Sequence, residues 1–298
     1  MIHNFLSAVG FQNLTNNKEL YDLLEWIVKN PEEQAVSADV YGNRFGCFSR
    51  SFGKDFGIAV YGDYLGKSEF HIEYYYPYLT GSTEAVYDEI EIERLSAKDE
   101  FSGICDEFHL GVTMIFQVTN GVEVMKVYRK DGNFYSAKNV RFSGLAISGK
   151  VLLPVLKTAK RIAARQEKSE KRMNLMQQAK EGSQTAMDHL TLSEMDTYSR
   201  LHHRVVHNRE DILSIVESSF IPYGVESSQY IIIGEIAACR KEQNRSSFEN
   251  VWILTLNCNG VMIDIAVNEN VLFGEPAVGR RFRGRILLQG KVCFNEAK

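Results

Sequence analysis

The chain reads as an α+β protein: an antiparallel-sheet domain with helices, then a long connecting helix, then a small antiparallel β domain of OB-like or SH3-like barrel type. Three observations carry this reading. From Gln34 to Leu95 short β-rich runs alternate with glycine-bearing turns, from Gly149 to Gly182 helix formers dominate, and from Ser228 to Phe294 β-rich runs return. The boundaries that follow are 1–148 for the first domain, 149–208 for the long basic helix and a polar linker, and 209–298 for the small β domain with one leading helix.

The central helix is predicted over GKVLLPVLKTAKRIAARQEKSEKRMNLMQQAKEG. Leu152, Val155, Leu156, Ala159, Ile162 and Ala163 recur at steps of three and four, and Met173 and Met176 continue that face. Pro154 suits the first turn and Gly182 the stop. About thirty residues at 1.5 Å each would span roughly 45 Å. The stretch Arg165–Arg172 has no apolar residue, which marks it as solvated or as a bridge between two bodies.

The remaining elements follow in order. A short helix is predicted over residues 3–10 and a longer one over Lys18–Asn30, with Asn16 or Asn17 as N-cap and Asn30-Pro31 as its end. The runs AVSADVYG, RFGCFSRSFG, FGIAVYGDYL, EFHIEYYYPYL and EAVYDEIEIERL then read as a meander. In HLGVTMIFQVTNGVEVMKVYRKDG the Asn120-Gly121 pair predicts a type I′ hairpin, and Asp131-Gly132 offers another turn. Residues 183–208 read as a polar loop with one or two short helices. A helix is predicted over Asp211–Phe220, capped by Asn208. Four further strands follow, with Asn259-Gly260 turning the second into the third.

Composition excludes several classes. With 44% hydrophobic and 24% charged residues, the 298-residue chain is of ordinary globular type rather than disordered. No run of eighteen apolar residues is present, so no membrane-spanning helix is predicted. The five cysteines, 47, 105, 239, 258 and 293, form no CxxC pair, and with the absence of a basic leader they predict reduced thiols in a cytoplasmic protein. Charge is divided: residues 1–149 carry a net −8, residues 150–208 a net +5, and residues 209–298 a net −1, counting Lys and Arg against Asp and Glu. A basic helix beside an acidic domain favours docking within the molecule or between copies. Glu167, Glu170 and Glu181 supply helix-spaced partners for its cations.

The segments MIHNFLSAVGF, GIAVYG, EYYYPYL, ICDEFHLGVTMIF and GEPAVGRRFRGRILLQG resemble a bacterial family of unknown function. The resemblance runs over nearly the whole chain. It implies a bacterial, cytoplasmic protein and brings no activity to any residue.

Four constellations are candidates for function. In RRFRGR, Arg281, Arg283 and Arg285 alternate with Arg280 beside them, so a strand would present three guanidiniums about 6.8 Å apart, a spacing suited to phosphates. With Lys157, Lys160, Arg161 and Arg165 of the helix they form the candidate anion surface, and Tyr230 and Trp252 are candidate stacking platforms for single-stranded nucleic acid. The plainer reading is a solvated arginine face. His203 and His207 lie four apart, which sets two imidazoles on one helix face as a zinc site needs; the glutamate of HExxH is missing and Asp211 is the nearest third ligand, so a plain surface pair is favoured. Tyr74, Tyr76 and Tyr78 share one side of a strand and Tyr75 the other, predicting a two-sided buried strand, with a ligand groove and an enzyme site there as the alternative. Cys105, Asp106, Glu107 and His109 bring thiol, acid and imidazole together. No nucleophile elbow, phosphate loop or dinucleotide fingerprint accompanies them.

The sequence therefore predicts a non-enzymatic binding or scaffold protein, self-associating through its long helix. Nucleic-acid binding through the arginine strand is the alternative, and an enzyme site near Tyr74–Tyr78 the second. The expected partner is a protein or a second copy, and no cofactor, catalytic residue, metal or membrane is assigned.

Overall fold

The computed structural model describes residues 3–38, 44–65, 69–95, 100–107, 109–131, 137–155, 159–209, 211–225 and 227–294. A 3-10 helix over Asn4–Val9 opens the chain, followed by α1 (Asn17–Lys29), whose N-cap is Asn16, accepting from the Lys18 N–H. Leu20, Leu24 and Ile27 form its buried stripe. Strands β1 (Glu33–Ala38), β2 (Arg44–Ser51), β3 (Phe56–Leu65) and β4 (Glu69–Leu79) make an antiparallel four-stranded meander, as the turn spacing predicts. The next run, β5 (Glu84–Leu95), leaves that sheet for a second, mixed one that also holds β6 (Glu100–Glu107), β7 (Val112–Val118), β8 (Ala137–Leu152) and β9 (Ser219–Pro222). Completing it are β10 (Gln229–Gln243), β11 (Asn250–Cys258), β12 (Val261–Asn268), the short β13 (Leu272–Phe273) and β14 (Arg281–Cys293).

The spine of this second sheet is the long β8–β14 ladder, antiparallel from Arg281↔Leu152 to Cys293↔Asn139. Two rings of strands close on it. On one side β8, β12, β11, β10 and β14 are hydrogen-bonded in turn, with β12–β8 parallel; on the other, β8, β5, β6, β7 and β14 are, with β7–β14 parallel. The C-terminal strands thus close only by borrowing β8 from the first half of the chain. The second sheet therefore runs across the boundaries expected at 148 and 209. Phe5, Leu6 and Val9 share a core cluster with Val251, Ile253 and Leu287, and Tyr61, Phe116 and Phe142 share another with Ile232, Leu254 and Phe282.

Four expectations are corrected. The predicted long helix begins late: Gly149–Leu152 belongs to β8, and α3 runs from Ala159 to Lys180. The reason is tertiary. Gly149 pairs with Gly284, and a Cβ on Gly149 would lie 2.2 Å from the fully buried Phe282 ring, so the glycine serves close packing of ring on ladder. Asn120-Gly121 makes no hairpin; Gly121 begins α2 (Gly121–Asp131). Asn120 accepts on its carbonyl from the Glu123 and Val124 N–H groups, while its side chain accepts from Val292 N–H at 3.0 Å and donates to Val292 O at 2.7 Å. Gly132, and so the second turn, lies outside the described residues.

The polar linker is instead a helix, α4 (Gln184–Val206), and the helix after it is the single turn α5 (Ile212–Ile215), capped by Asp211 rather than Asn208. Gly182, at φ +92°, ends α3 as predicted, and Ser183 caps α4 by accepting from Ala186 N–H at 3.3 Å. The two helices pack on each other as a hairpin inserted between β8 and β9. Asn259 (φ +54°) and Gly260 (φ +98°) turn β11 into β12, both in the left-handed region that a type I′ turn demands.

Candidate functional site

A cleft of about 420 Å³ lies beside β5 and β6 and is lined by Tyr87, Glu89, Glu91, Cys105, Glu107 and His109 among others. At its centre Glu107, 5% exposed, receives three donors. The Tyr87 hydroxyl donates to Oε2 at 2.5 Å, and both the backbone N–H and the Nδ1 of His109 reach Oε1 at 2.8 Å. A carboxylate accepts only, so the imidazole donates to it from Nδ1. Burial, then the neighbouring Glu107, pushes the Tyr87 phenol well above its ordinary range, so the phenol stays protonated. Burial, reinforced by Glu107 and Asp106, pushes the Cys105 thiol up to about 12, which disfavours the thiolate. Cys105, Glu107 and His109 stand close together in the sequence; Tyr87, twenty residues away from Glu107, had no signal pointing to it.

The aromatic strand is buried, as the plainer reading expects. Tyr74 and Tyr61 stack with centroids 4.9 Å apart, and the Tyr61 and Tyr76 hydroxyls meet at 2.6 Å. Tyr76 donates onward to Thr119 O at 3.0 Å. The space left against Tyr61, Tyr74 and Tyr76 is about 10 Å³, the size of one water rather than of a ligand. Tyr75, on the opposite side, accepts from the His3 N–H at 2.7 Å. Tyr78 is half-buried and its hydroxyl lies 3.3 Å from the Ser51 hydroxyl.

The arginine strand is β14, hydrogen-bonded on both edges. Arg281, Arg283 and Arg285 do alternate with the buried Phe282, but their environments differ. Arg281 is 5% exposed and donates to the carbonyls of Leu153 and Val216, which makes it a structural tie. Arg285 donates twice to Gln229 Oε1, at 2.9 and 2.6 Å, and lies 3.9 Å over the Tyr223 ring. Arg280 donates to Glu275 O, and Arg283 is exposed. Tyr230 is not a platform: it is buried, with its hydroxyl accepting from Ile115 N–H at 2.7 Å. Trp252 is half-buried, with Lys241 Nζ 5.8 Å from its ring.

Lys157 lies outside the described residues, as do the side chains of Lys160, Arg161 and Arg165. Further along α3, Lys171 pairs with Glu167 at 2.6 Å, one of the interleaved acids. His203 and His207 do share a face of α4, with ring centroids 4.7 Å apart, and both are exposed. Asp211 is committed to capping α5, and among the described residues no three metal-capable side chains converge.

The hairpin presents what the sequence reading missed. Helix α4 packs on α3, and Ala186 is buried on it with Leu190 half-buried on the same side. The other carries Met187, Leu192, Met195, Tyr198 and Val206, with Leu192 63%, Met195 62% and Tyr198 71% exposed. At 100° per residue these five lie within a 140° arc and so share one face, with Asp188, Thr191, Ser199 and His202 between them. The legible signal was the absence of any Gly or Pro from Ser183 to Ile221, with Ser183 in place to cap.

Compared with known proteins, residues 6–290 match a family described as a domain of unknown function, E. rectale gene description, DUF3881. The chain belongs to this family. The match covers both strand rings and the hairpin between them, so the fused sheet lies within the DUF3881 unit. No curated protein matches this DUF3881 chain, and no solved structure does. Among its described residues no helix is long and apolar enough to cross a membrane.

Proposed function

We propose that this DUF3881 protein is a non-enzymatic binding or scaffold protein whose docking element is the α3–α4 hairpin. The observation that carries the reading is the open stripe on α4. Single exposed apolar side chains are ordinary, but five sharing one helix face suit an interaction surface. The rest of the molecule is consistent with a support. Core clusters fill both sides of the sheet, the aromatic strand is sealed, and the arginine strand has two of its three alternating guanidiniums engaged within the chain. Nucleic-acid binding loses support by the same facts, since Tyr230 is buried and Arg281 is a tie.

The test is a photoreactive amino acid placed at position 198, with the same residue at the exposed position 19 on α1 as control, in the protein expressed in its own host. The expected result is a discrete protein adduct from position 198 and none from position 19. No adduct from position 198, or equal adducts from both, contradicts the reading.

A further inference from the structure

The β8–β14 ladder carries an electrostatic conflict on its outer face. Antiparallel register sets Lys150 directly opposite Arg283 and Ser148 directly opposite Arg285. Opposed side chains share a face with their Cβ atoms about 5 Å apart, and the two rows are about 6.8 Å apart along the strand. Ser148, Lys150 and Arg283 are exposed, and Arg285 is half-buried. Like charges directly opposite each other destabilise a sheet, and an acid beside them is the ordinary remedy. The register supplies none. Lys150 has Phe273 of β13 on its other side, while Arg283 and Arg285 have Ile233 and Ile231 of β10. The first acid, Glu235, stands one row further on, opposite Arg281. Among the described residues no hydrogen bond or ion pair engages the side chain of Ser148, Lys150 or Arg283. Arg285 uses Nε and Nη2 on Gln229 Oε1, which leaves Nη1.

We infer that this block of four donors is a binding site for one phosphate monoester group. A hydroxyl, an ammonium and two guanidiniums can all donate, three of them carry charge, and no carboxylate stands among them to compete. A phosphate dianion offers three terminal oxygens, enough for a guanidinium fork, an ammonium and a third donor at once; a carboxylate offers two. The block ends after two rows, because Arg281 beyond it is tied to the carbonyls of Leu153 and Val216. It therefore suits one phosphate group rather than a run of them. Phe273, largely exposed and in register with Lys150, gives the body that bears the phosphate an apolar surface to lie on. The block shares no residue with the stripe on α4, so each stands or falls alone.

Calorimetric titration of the full chain with inorganic phosphate and with phenyl phosphate, at fixed ionic strength and at about pH 7.5, where a monoester is largely a dianion, tests the assignment. Both should saturate one site, phenyl phosphate the more tightly, and acetate should not displace them. Lys150→Gln and Arg283→Gln should each weaken phosphate binding at least about tenfold, the value of one charge-assisted hydrogen bond, while Arg200→Gln on α4 leaves it unchanged. Stability gives a second readout. Either substitution removes the like-charge contact, so without phosphate the urea midpoints of both variants should be no lower than that of the unaltered chain; saturating phosphate should raise its midpoint and not theirs. No saturable binding, or an equal loss from Arg200→Gln, overturns the inference, and so do lower midpoints in both variants, which would mean that the two cations are already partnered. Phenyl phosphate binding no more tightly than inorganic phosphate overturns the monoester. A single-stranded oligonucleotide that binds more tightly than either, with a steep salt slope, would assign the face to a phosphate backbone instead.

Discussion

Replacing Gln289 by leucine is expected to lower the unfolding free energy by about 3–5 kcal/mol, a large share of the roughly 5–15 kcal/mol that holds a domain together. Gln289 is fully buried on the β8–β14 ladder, opposite Ser143. Its Oε1 accepts from the Leu79 N–H at 3.2 Å and its Nε2 donates to Pro77 O at 2.9 Å, while the Ser143 hydroxyl donates to Leu79 O at 2.6 Å. These are the groups on the outer edge of β4, the last strand of the four-stranded sheet. An open edge buried against apolar surface would be costly, and the glutamine acts as a one-residue substitute for a neighbouring strand. Leucine keeps the approximate volume but leaves the Leu79 N–H without its acceptor and Pro77 O without this donor. Urea titration should show a lower midpoint with an unchanged slope; a loss below about 1 kcal/mol would mean that the two sheets do not depend on this link.

Stability is also expected to fall steeply above pH 9, by about 4 kcal/mol between pH 7 and pH 10. Burial is the main cause that pushes Cys47, Cys105 and Cys258 from the ordinary thiol value of 9.0 up to about 12, and Tyr78 from 10.0 to about 12. These are acids whose folded values are raised, so between pH 9 and 12 the unfolded chain has released protons that the native chain still holds. Stability is thus fully present below pH 9 and is lost as pH rises. Each thiol contributes about 1.4 kcal/mol of that loss by pH 10. Urea midpoints measured from pH 7 to pH 10 check it, and a flat profile would mean that the three thiols are more open than the packing shows.

How far the sequence could be read depended on whether a local signal and a distant partner agreed. Asn16, Asn259-Gly260 and Gly182 specify caps and turns through their own backbone preferences, and the structure places each where the residue type demands. Asn120-Gly121 is the same kind of signal, yet its side chain is claimed by Val292, 172 residues away, and Val122 and Val124 go into the core as part of a helix. Gly149–Leu152 fits a helical period as well as a strand, and only the ladder with Arg281–Gly284 decides it. Helix α4 was hidden by its own composition: a helix whose apolar residues also face outward has no clean polar face, so its period is blurred. At the cleft, the Glu107–His109 pairing was visible at a spacing of two, whereas Tyr87 arrives from another strand.

The central proposal is that α4 docks a protein through its outward stripe, while the fused sheet stands without it. Photocrosslinking from position 198 in the otherwise unaltered chain and in a variant with Leu192→Ser and Met195→Ser measures this directly. A discrete protein adduct for the first, none for the second and one urea midpoint for both is the predicted result. No adduct from the first, or an adduct indifferent to the two serines, would contradict it.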